Sequence, residues 1–339
     1  MHVLLLGGTQ FLGRHCVDAA LARGHAVTIF TRGRAPNPWG DAVAALIGDR
    51  DPRIASGLDA LCDGTWDAVI DTSGYLPRCV DASAALLANR ARRYLFVSSV
   101  SVYADLSQPG VDETGRLALL PDPNDEDIGK YYGPLKAACE HAVSRVWGSR
   151  ALIVRPGLIV GPHDPTDRFG YWVARFVVPK SLGDRPSDAV VPAPPARPIQ
   201  CIDARDLAQW MLDLIERDVG GVFNATSAAG QWTMGDLAEA LVASGGSGAP
   251  RPMWIDEARL LAHGVAPWTG LPLWISATSP ELAGLLAINA VRAQAAGLVT
   301  RPLADTIAAT AAWLQTRDRS GTWKAVLSAQ AEREILRTI

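Results

Sequence analysis

The sequence holds only five cysteines, Cys16, Cys62, Cys79, Cys139 and Cys201, spread over 339 residues with no C-x-x-C pair. An odd number of distant thiols excludes a disulfide framework and a cysteine zinc cluster; no metal site is expected, and the thiols read as small core residues in a reducing, cytoplasmic compartment. Long apolar runs are also lacking. The Leu- and Ala-rich stretch from Leu282 to Ala296 is interrupted by Asn289, Arg292 and Gln294, so no segment approaches the ~18 unbroken apolar residues of a membrane span. The first residues carry no basic flank and reach a glycine turn directly after Leu6, so a leader peptide is not expected. Nor is there an excess of one charge: 32 Lys and Arg against 35 Asp and Glu leave a formal net charge of -3. Without a broad positive field for a phosphate backbone, nucleic acid is not an expected partner. A composition 48% hydrophobic and 20% charged at this length describes a folded chain of one large or two modest domains, with no internal repeat.

What is present is alternation. Short apolar runs at Val3 to Leu6, Ala26 to Phe30, Ala44 to Ile47, Ala68 to Ile70, Tyr94 to Val97 and Leu152 to Val154 are separated by helix-period segments. The helices fall at about Phe11 to Arg23, Pro77 to Asn89 and Tyr131 to Trp147. Near-continuous apolar strands alternating with helices predict an α/β fold, a doubly wound parallel sheet of the Rossmann type. After about Gly157 the alternation fails, and the proline-dense stretch from Pro179 to Pro198 reads as a loop or lid-like excursion. A strand and helix return from Ile199 to Ile215, another strand from Val222 to Ala225, and the chain from Gln231 onward reads as mostly helical. Eight of the eleven tryptophans lie beyond position 171. They fit either bulky filler for a small second core or an aromatic substrate wall.

The first predicted strand runs into Gly7-Gly8-Thr9-Gln10-Phe11-Leu12-Gly13 and then a helix. Such a turn points backbone N–H groups and a helix N-terminus at a pyrophosphate. Gln10 occupies the middle glycine position, where a side chain crowds the pyrophosphate. At the end of the second strand, the Asp or Glu that would mark NAD is replaced by Thr31-Arg32-Gly33-Arg34. Two guanidinium groups there suit a 2′-phosphate, so NADP(H) is expected over NAD(H), with Arg14 as a further candidate. The plainer reading of the arginines is solvated loop charge. Asp49, with Arg50 beside it, follows the third strand, where a carboxylate can meet the adenine amino group or simply belong to the loop.

Tyr132 and Lys136 form Y-x-x-x-K on one face of a helix; Tyr131, with Leu135 four residues on, does not. A nearby ammonium, aided by the charge of an oxidised nicotinamide, is expected to favour the phenolate. The strand Leu95-Phe96-Val97 ends in Ser98-Ser99-Val100-Ser101-Val102-Tyr103, placing hydroxyls at the carboxyl edge of the sheet. With GGTQFLG, SSVSVY, YGPLK and RPGLIVGP in this order, and DARDLA, FNATS and GLVTRPLADTIAATAAWL further on, the chain resembles the extended short-chain dehydrogenase/reductase family, the NAD(P)-dependent epimerase/dehydratase group. The resemblance implies that Ser99 polarises the substrate oxygen, that Tyr132 is the acid/base, and that Lys136 holds the nicotinamide ribose and tunes the tyrosine. It also implies that Pro156 and Gly157 border the nicotinamide and that Ser73 and Gly74 pass near the cofactor. Tyr75, Ser101 and His163 are candidate substrate-side groups, although His163 fits a surface residue equally well. The resemblance further implies a homodimer through the helices at Pro77 to Asn89 and Tyr131 to Trp147. Residues 1–157 plus 199–227 would form the dinucleotide-binding domain, and 158–198 plus 228–339 the smaller, mostly helical substrate-binding region.

Sugar-nucleotide members hold the diphosphate with an arginine at a position that here is Ile199, with Arg197 two residues earlier as an imperfect substitute. Dehydratases place an Asp-Glu pair after the catalytic hydroxyl, where this chain has Val100 and Ser101. The expected function is therefore an NADP(H)-dependent oxidoreductase acting at a hydroxyl or carbonyl carbon of a small, sugar-derived or partly apolar substrate. Two alternatives stand beside it: an NAD(P)-dependent sugar or sugar-nucleotide epimerase, and a non-catalytic nucleotide-sensing or RNA-associated relative.

Overall fold

The computed structural model of the chain describes residues 1–317 and 323–339. Seven strands form one parallel sheet: β1 (His2–Leu6), β2 (Ala26–Thr31), β3 (Ala44–Ile47), β4 (Trp66–Asp71), β5 (Ala91–Val97), β6 (Ala151–Pro156) and β7 (Gly221–Ala225). Their order across the sheet is β7-β6-β5-β4-β1-β2-β3. The chain winds outward from β1 to the β3 edge, then returns to place β4 on the other side of β1. That reversal opens a crevice between the carboxyl ends of β1 and β4, where open α/β sheets bind ligands.

Burial explains why the apolar runs become strands. Val3, Leu5, Ile29, Ile70, Leu95 and Val154 face one layer, with α1 (Phe11–Ala22) and α5 (Ala204–Glu216). Leu4, Leu6, Val69, Tyr94 and Phe96 face the other, with α2 (Pro77–Leu87) and α3 (Ile128–Trp147). Only the edge strand β3 is largely exposed. A third core gathers α4 (Arg168–Phe176), α6 (Met234–Gly245), α7 (Glu257–Ala262), α9 (Leu303–Thr316) and α10 (Ala329–Arg337), with the short α8 (Val291–Ala295) packed on the first. Among the described residues no helix is long and apolar enough to cross a membrane.

The proline-dense stretch departs from the loop expectation. Asp188–Pro192 is a strand paired in parallel with Arg251–Ile255, because buried Ala189, Val190 and Val191 outweigh a proline confined to its last position. The region after Gln231 carries the expected helices α6 to α10, joined by short strands at Trp232–Thr233 and Arg251–Ile255 and by an irregular stretch between Gly264 and Ala290. Trp172 and Trp274 are fully buried filler, and Trp268 belongs to a cavity wall.

The catalytic-motif helix is fixed by a close approach. α3 begins at Ile128, three residues earlier than expected, capped by Asp127, and bends at Tyr131 (φ -121°, ψ 33°) one turn ahead of Pro134. Proline at this position cannot donate to the Lys130 carbonyl, so the kink has a covalent cause. A Cβ on Gly133 would lie 2.1 Å from the Ser101 carbonyl oxygen. Glycine thus lets α3 touch the loop that carries Ser99. A buried network seals the contact: Arg155 pairs with Glu140 of α3 at 2.7 Å, its guanidinium donates to the Tyr103 hydroxyl at 3.0 Å, and that hydroxyl donates to Asn224 at 2.6 Å. Gly133→Ala is therefore expected to cost about 1–3 kcal/mol in urea unfolding. Gly248→Ala, whose Cβ would meet nothing within 4 Å, should change stability by less than about 0.5 kcal/mol.

Candidate active site

A cavity of about 1010 Å³ lies along the carboxyl edge of the sheet, from the β2 and β3 ends across the β1/β4 crevice to α3, Trp268 and Leu286. Its dinucleotide end is built on the β1–α1 turn. Gly7 and Gly8 adopt φ of +112° and +106°, and a Cβ on Gly13 would sit 2.8 Å from the Gly8 nitrogen, so this turn closes only on glycine. Gln10 caps α1 without a side-chain hydrogen bond, and the first turn holds no acidic residue. The first N–H groups of α1 thus remain available to an anion, and Thr9, Gln10, Phe11 and Leu12 line the cavity beside them. Gln10 has an ordinary extended backbone (φ -128°, ψ 145°) and an exposed side chain, so glycine is not required there for conformation.

Arg32 and Arg34 stand exposed on the wall and form no ion pair among the described residues. Asp49 also lines the cavity, where one carboxylate oxygen caps the Asp51 N–H at 3.0 Å. Arg50, a cofactor-side candidate beside Asp49, is on the wall but engaged with the protein itself. Its terminal nitrogens each donate to one oxygen of Asp71 at 2.7 Å, and one also donates to the Ser83 hydroxyl at 2.6 Å. The guanidinium is spent on a buried carboxylate. Ser73 lines the cavity and donates to the Leu6 carbonyl, and Pro156 and Gly157 close the wall beneath β6. Two buried hydroxyls, Ser98 Oγ and Thr226 Oγ1, have no partner in this region; a Cβ on Gly157 would lie 2.7 Å from the latter. Unspent helix N–H groups, glycines at the close approach and orphan hydroxyls fit a dinucleotide.

Ser99, Tyr132 and Lys136 meet in the same cavity, with Tyr75 and Ser101. Ser99 accepts from the Ser101 N–H and donates to the Ser101 hydroxyl, both at 3.1 Å. The Lys136 ammonium donates to the Gly74 carbonyl at 2.9 Å and the Val97 carbonyl at 2.6 Å, and lies 4.6 Å from the Phe96 ring and 5.1 Å from the Tyr75 ring. Burial pulls its pKa down to about 8. The expected tuning of Tyr132 by Lys136 is not seen among its protein neighbours. Burial and the neighbouring Tyr75 push the Tyr132 phenol above its ordinary value, while the Ser99 hydroxyl and the Arg168 cation pull the other way. Lys136 commits its donors to two backbone carbonyls instead.

Four sequence candidates fall off the wall. Arg14 lies with its guanidinium carbon 5.9 Å from the Trp39 ring centroid. Gly74 contributes its carbonyl to Lys136 and sits behind the surface. His163 packs between His15 and Trp313 in tilted contacts at 5.9 and 5.6 Å, with its pKa lowered to about 4 by burial. Arg197 donates to the Ile275 and Ala193 carbonyls and lies 3.7 Å from Glu257, away from the cavity. Arg168, Leu285 and Leu286 also line the cavity and are not singled out by the sequence reading, and of the tryptophans weighed as an aromatic wall, Trp268 lines it. For Arg168 a signal existed: it opens α4 at a helix N-terminus, where a cation is disfavoured, with no acidic residue in the first turn.

The Lys136 environment predicts a pH effect. Its folded pKa lies below the ordinary 10.5, so between the two values the unfolded chain binds more protons and stability rises with pH. In urea unfolding from pH 8 to pH 10, wild type should gain about 2 kcal/mol relative to Lys136→Met.

Residues 3–225 match the model of the NAD dependent epimerase/dehydratase family. Among curated proteins none matches the chain significantly. Similar solved structures include a protein of Burkholderia cenocepacia J2315 (19% identity, TM-score 0.68, covering 93% of this chain and 98% of that one). UDP-glucuronic acid 4-epimerase from Bacillus cereus in complex with NAD is similar at 14% identity and TM-score 0.63, over 93% of this chain and 99% of that one. UDP-glucose 4-epimerase from Bifidobacterium longum in complex with NAD+ and UDP follows at 16% and 0.63, over 95% and 100%. At these identities the structures speak for the fold, and the family follows from the matched residues: the chain belongs to the NAD-dependent epimerase/dehydratase family of enzymes.

Proposed function

We propose that the protein is an NADP(H)-dependent oxidoreductase of the extended short-chain type, transferring hydride at a hydroxyl or carbonyl carbon of a small substrate. The observation that carries this reading is the convergence of Ser99, Tyr132 and Lys136 on the cavity that the β1–α1 turn opens into. When bound, the dinucleotide supplies or accepts the hydride. Arg32 and Arg34 would hold its 2′-phosphate, the α1 N-terminus its pyrophosphate, and Ser98, Thr226 and Lys136 its nicotinamide half. Ser99 orients the substrate oxygen, and Tyr132 exchanges a proton with it. A phenol held in its neutral form at physiological pH is ready to donate, which suits carbonyl reduction.

Residues 1–157 plus 199–227 would serve the cofactor, and 158–198 plus 228–339 the substrate. Cytoplasmic residence fits five free cysteines. The side-by-side helices α2 and α3, linked across their outer surface by Arg145 and Asp81, are the proposed homodimer face. Epimerisation is the second reading, favoured by the solved neighbours named for that activity.

Titration with NADPH and NADH, with mass analysis of any dinucleotide retained through purification, separates these readings. Exchangeable NADPH preferred over NADH is expected; tightly retained NAD(P)+ supports the epimerase, and binding of neither leaves the non-catalytic relative. The double change Arg32→Ala/Arg34→Ala should weaken NADPH about 10- to 100-fold and leave NADH nearly unchanged. Tyr132→Phe should lower turnover by about 10²–10⁴. In wild type, reduction should fall and oxidation rise as pH climbs toward the elevated phenol pKa.

A further inference from the structure

At its catalytic end the cavity carries two cations, Lys136 and Arg168, while the carboxylates on its wall, Asp49 and Asp51, both lie at the β3 end. Lys136 is held by two carbonyls. Arg168 is spent far less: its Nε donates to the Thr166 hydroxyl at 3.1 Å, and its terminal nitrogens make no hydrogen bond or ion pair among the described residues. Its guanidinium carbon lies 5.4 Å from the Trp268 ring centroid, which braces one face. We propose that Arg168 is the substrate-binding cation of this cavity, and that the substrate carries an anionic group, carboxylate or phosphoryl, beside the oxygen that meets Ser99 and Tyr132.

The acidic neighbours do not satisfy this cation. Asp164 acts on it from a distance but directs one oxygen to the N–H and hydroxyl of Thr166 at 2.9 and 2.7 Å, and its other oxygen is buried without a partner. Asp167 turns the opposite way. It is fully buried, pairs with Arg317, and accepts the Lys324 N–H at 2.9 Å. Asp167 holds a left-handed backbone (φ +64°) and Trp268 another (φ +67°). A non-glycine residue pays for that conformation, and here the Arg317 pair fixes the turn that sends the next side chain, Arg168, into the cavity. Desolvation lowers the Arg168 pKa, a cost that a bound anion offsets through charge-assisted, bidentate hydrogen bonds. Leu158, Leu285 and Leu286 on the same wall leave room for an apolar portion of the substrate.

The assignment rests on the oxidoreductase reading, and its test does not depend on turnover. Full-length protein is treated with phenylglyoxal, with and without NADPH, and labelling of each arginine is followed by peptide mass mapping. Arg168 should react faster than the ion-paired Arg155 and Arg175. Acetate or methyl phosphate should slow its labelling several-fold, whereas neutral acetamide should not. Protection by acetate alone assigns a carboxylate, by methyl phosphate alone a phosphoryl group, and by both either one. No protection by either anion, or equal protection by acetamide, overturns the proposal. Arg168→Gln should keep wild-type affinity for NADPH; its loss would place the cation in the cofactor site and overturn the assignment. Failure of wild type to bind either dinucleotide defeats the oxidoreductase reading instead, and labelling reports on Arg168 in that case as well.

Discussion

A carboxylate with no solvent exposure at the carboxyl edge of a parallel sheet must meet a fixed cation, and Asp71 meets Arg50 on both oxygens while the Tyr94 hydroxyl donates to it at 2.8 Å. Burial would raise the Asp71 pKa; the Arg50 charge and hydrogen bonds overcome it and hold the group ionised. The pair joins the segment after β3 to the end of β4, and through Ser83 to α2. It therefore braces the floor of the crevice on which both halves of the cavity depend. Removing one partner would strand a buried charge, the costly way to break such a pair.

Much of this was legible before any coordinates. The runs that became β1, β2, β4, β5 and β6 are apolar on both faces because helices cover both faces, and that leaves a continuous hydrophobic signature. The glycine turn and Y-x-x-x-K are legible because each rests on local geometry. The engagement of Arg50 is hidden for the converse reason: sequence shows an arginine beside a cofactor-side aspartate, but not that Asp71 and Ser83 are close enough to claim it. The positions of His163 and Arg197 are not legible because their neighbours, Trp313 and Ile275, arrive from distant parts of the chain.

The motifs also divide between chemistry and scaffolding. Within SSVSVY, Ser99 faces the cavity while Tyr103 is buried in the network of Arg155 and Asn224, themselves drawn from RPGLIVGP and FNATS. Within YGPLK, Gly133 is valuable for the side chain it lacks, since it sets the distance between Tyr132 and the serine loop. Residues that recur together in such a pattern need not all touch substrate; several hold the others in register.

The ion pair between Arg317 and Asp167 reaches outside the span that defines the family. Arg317, Trp268, Leu285 and Leu286 all lie beyond residue 225, where the family match ends. The wall is thus shared between the matched span, which carries Arg168, and the segment beyond it. A chain cut at the end of the family match would keep the dinucleotide turn, Ser99, Tyr132 and Lys136 but lose Trp268, Leu285, Leu286 and the partner of Asp167.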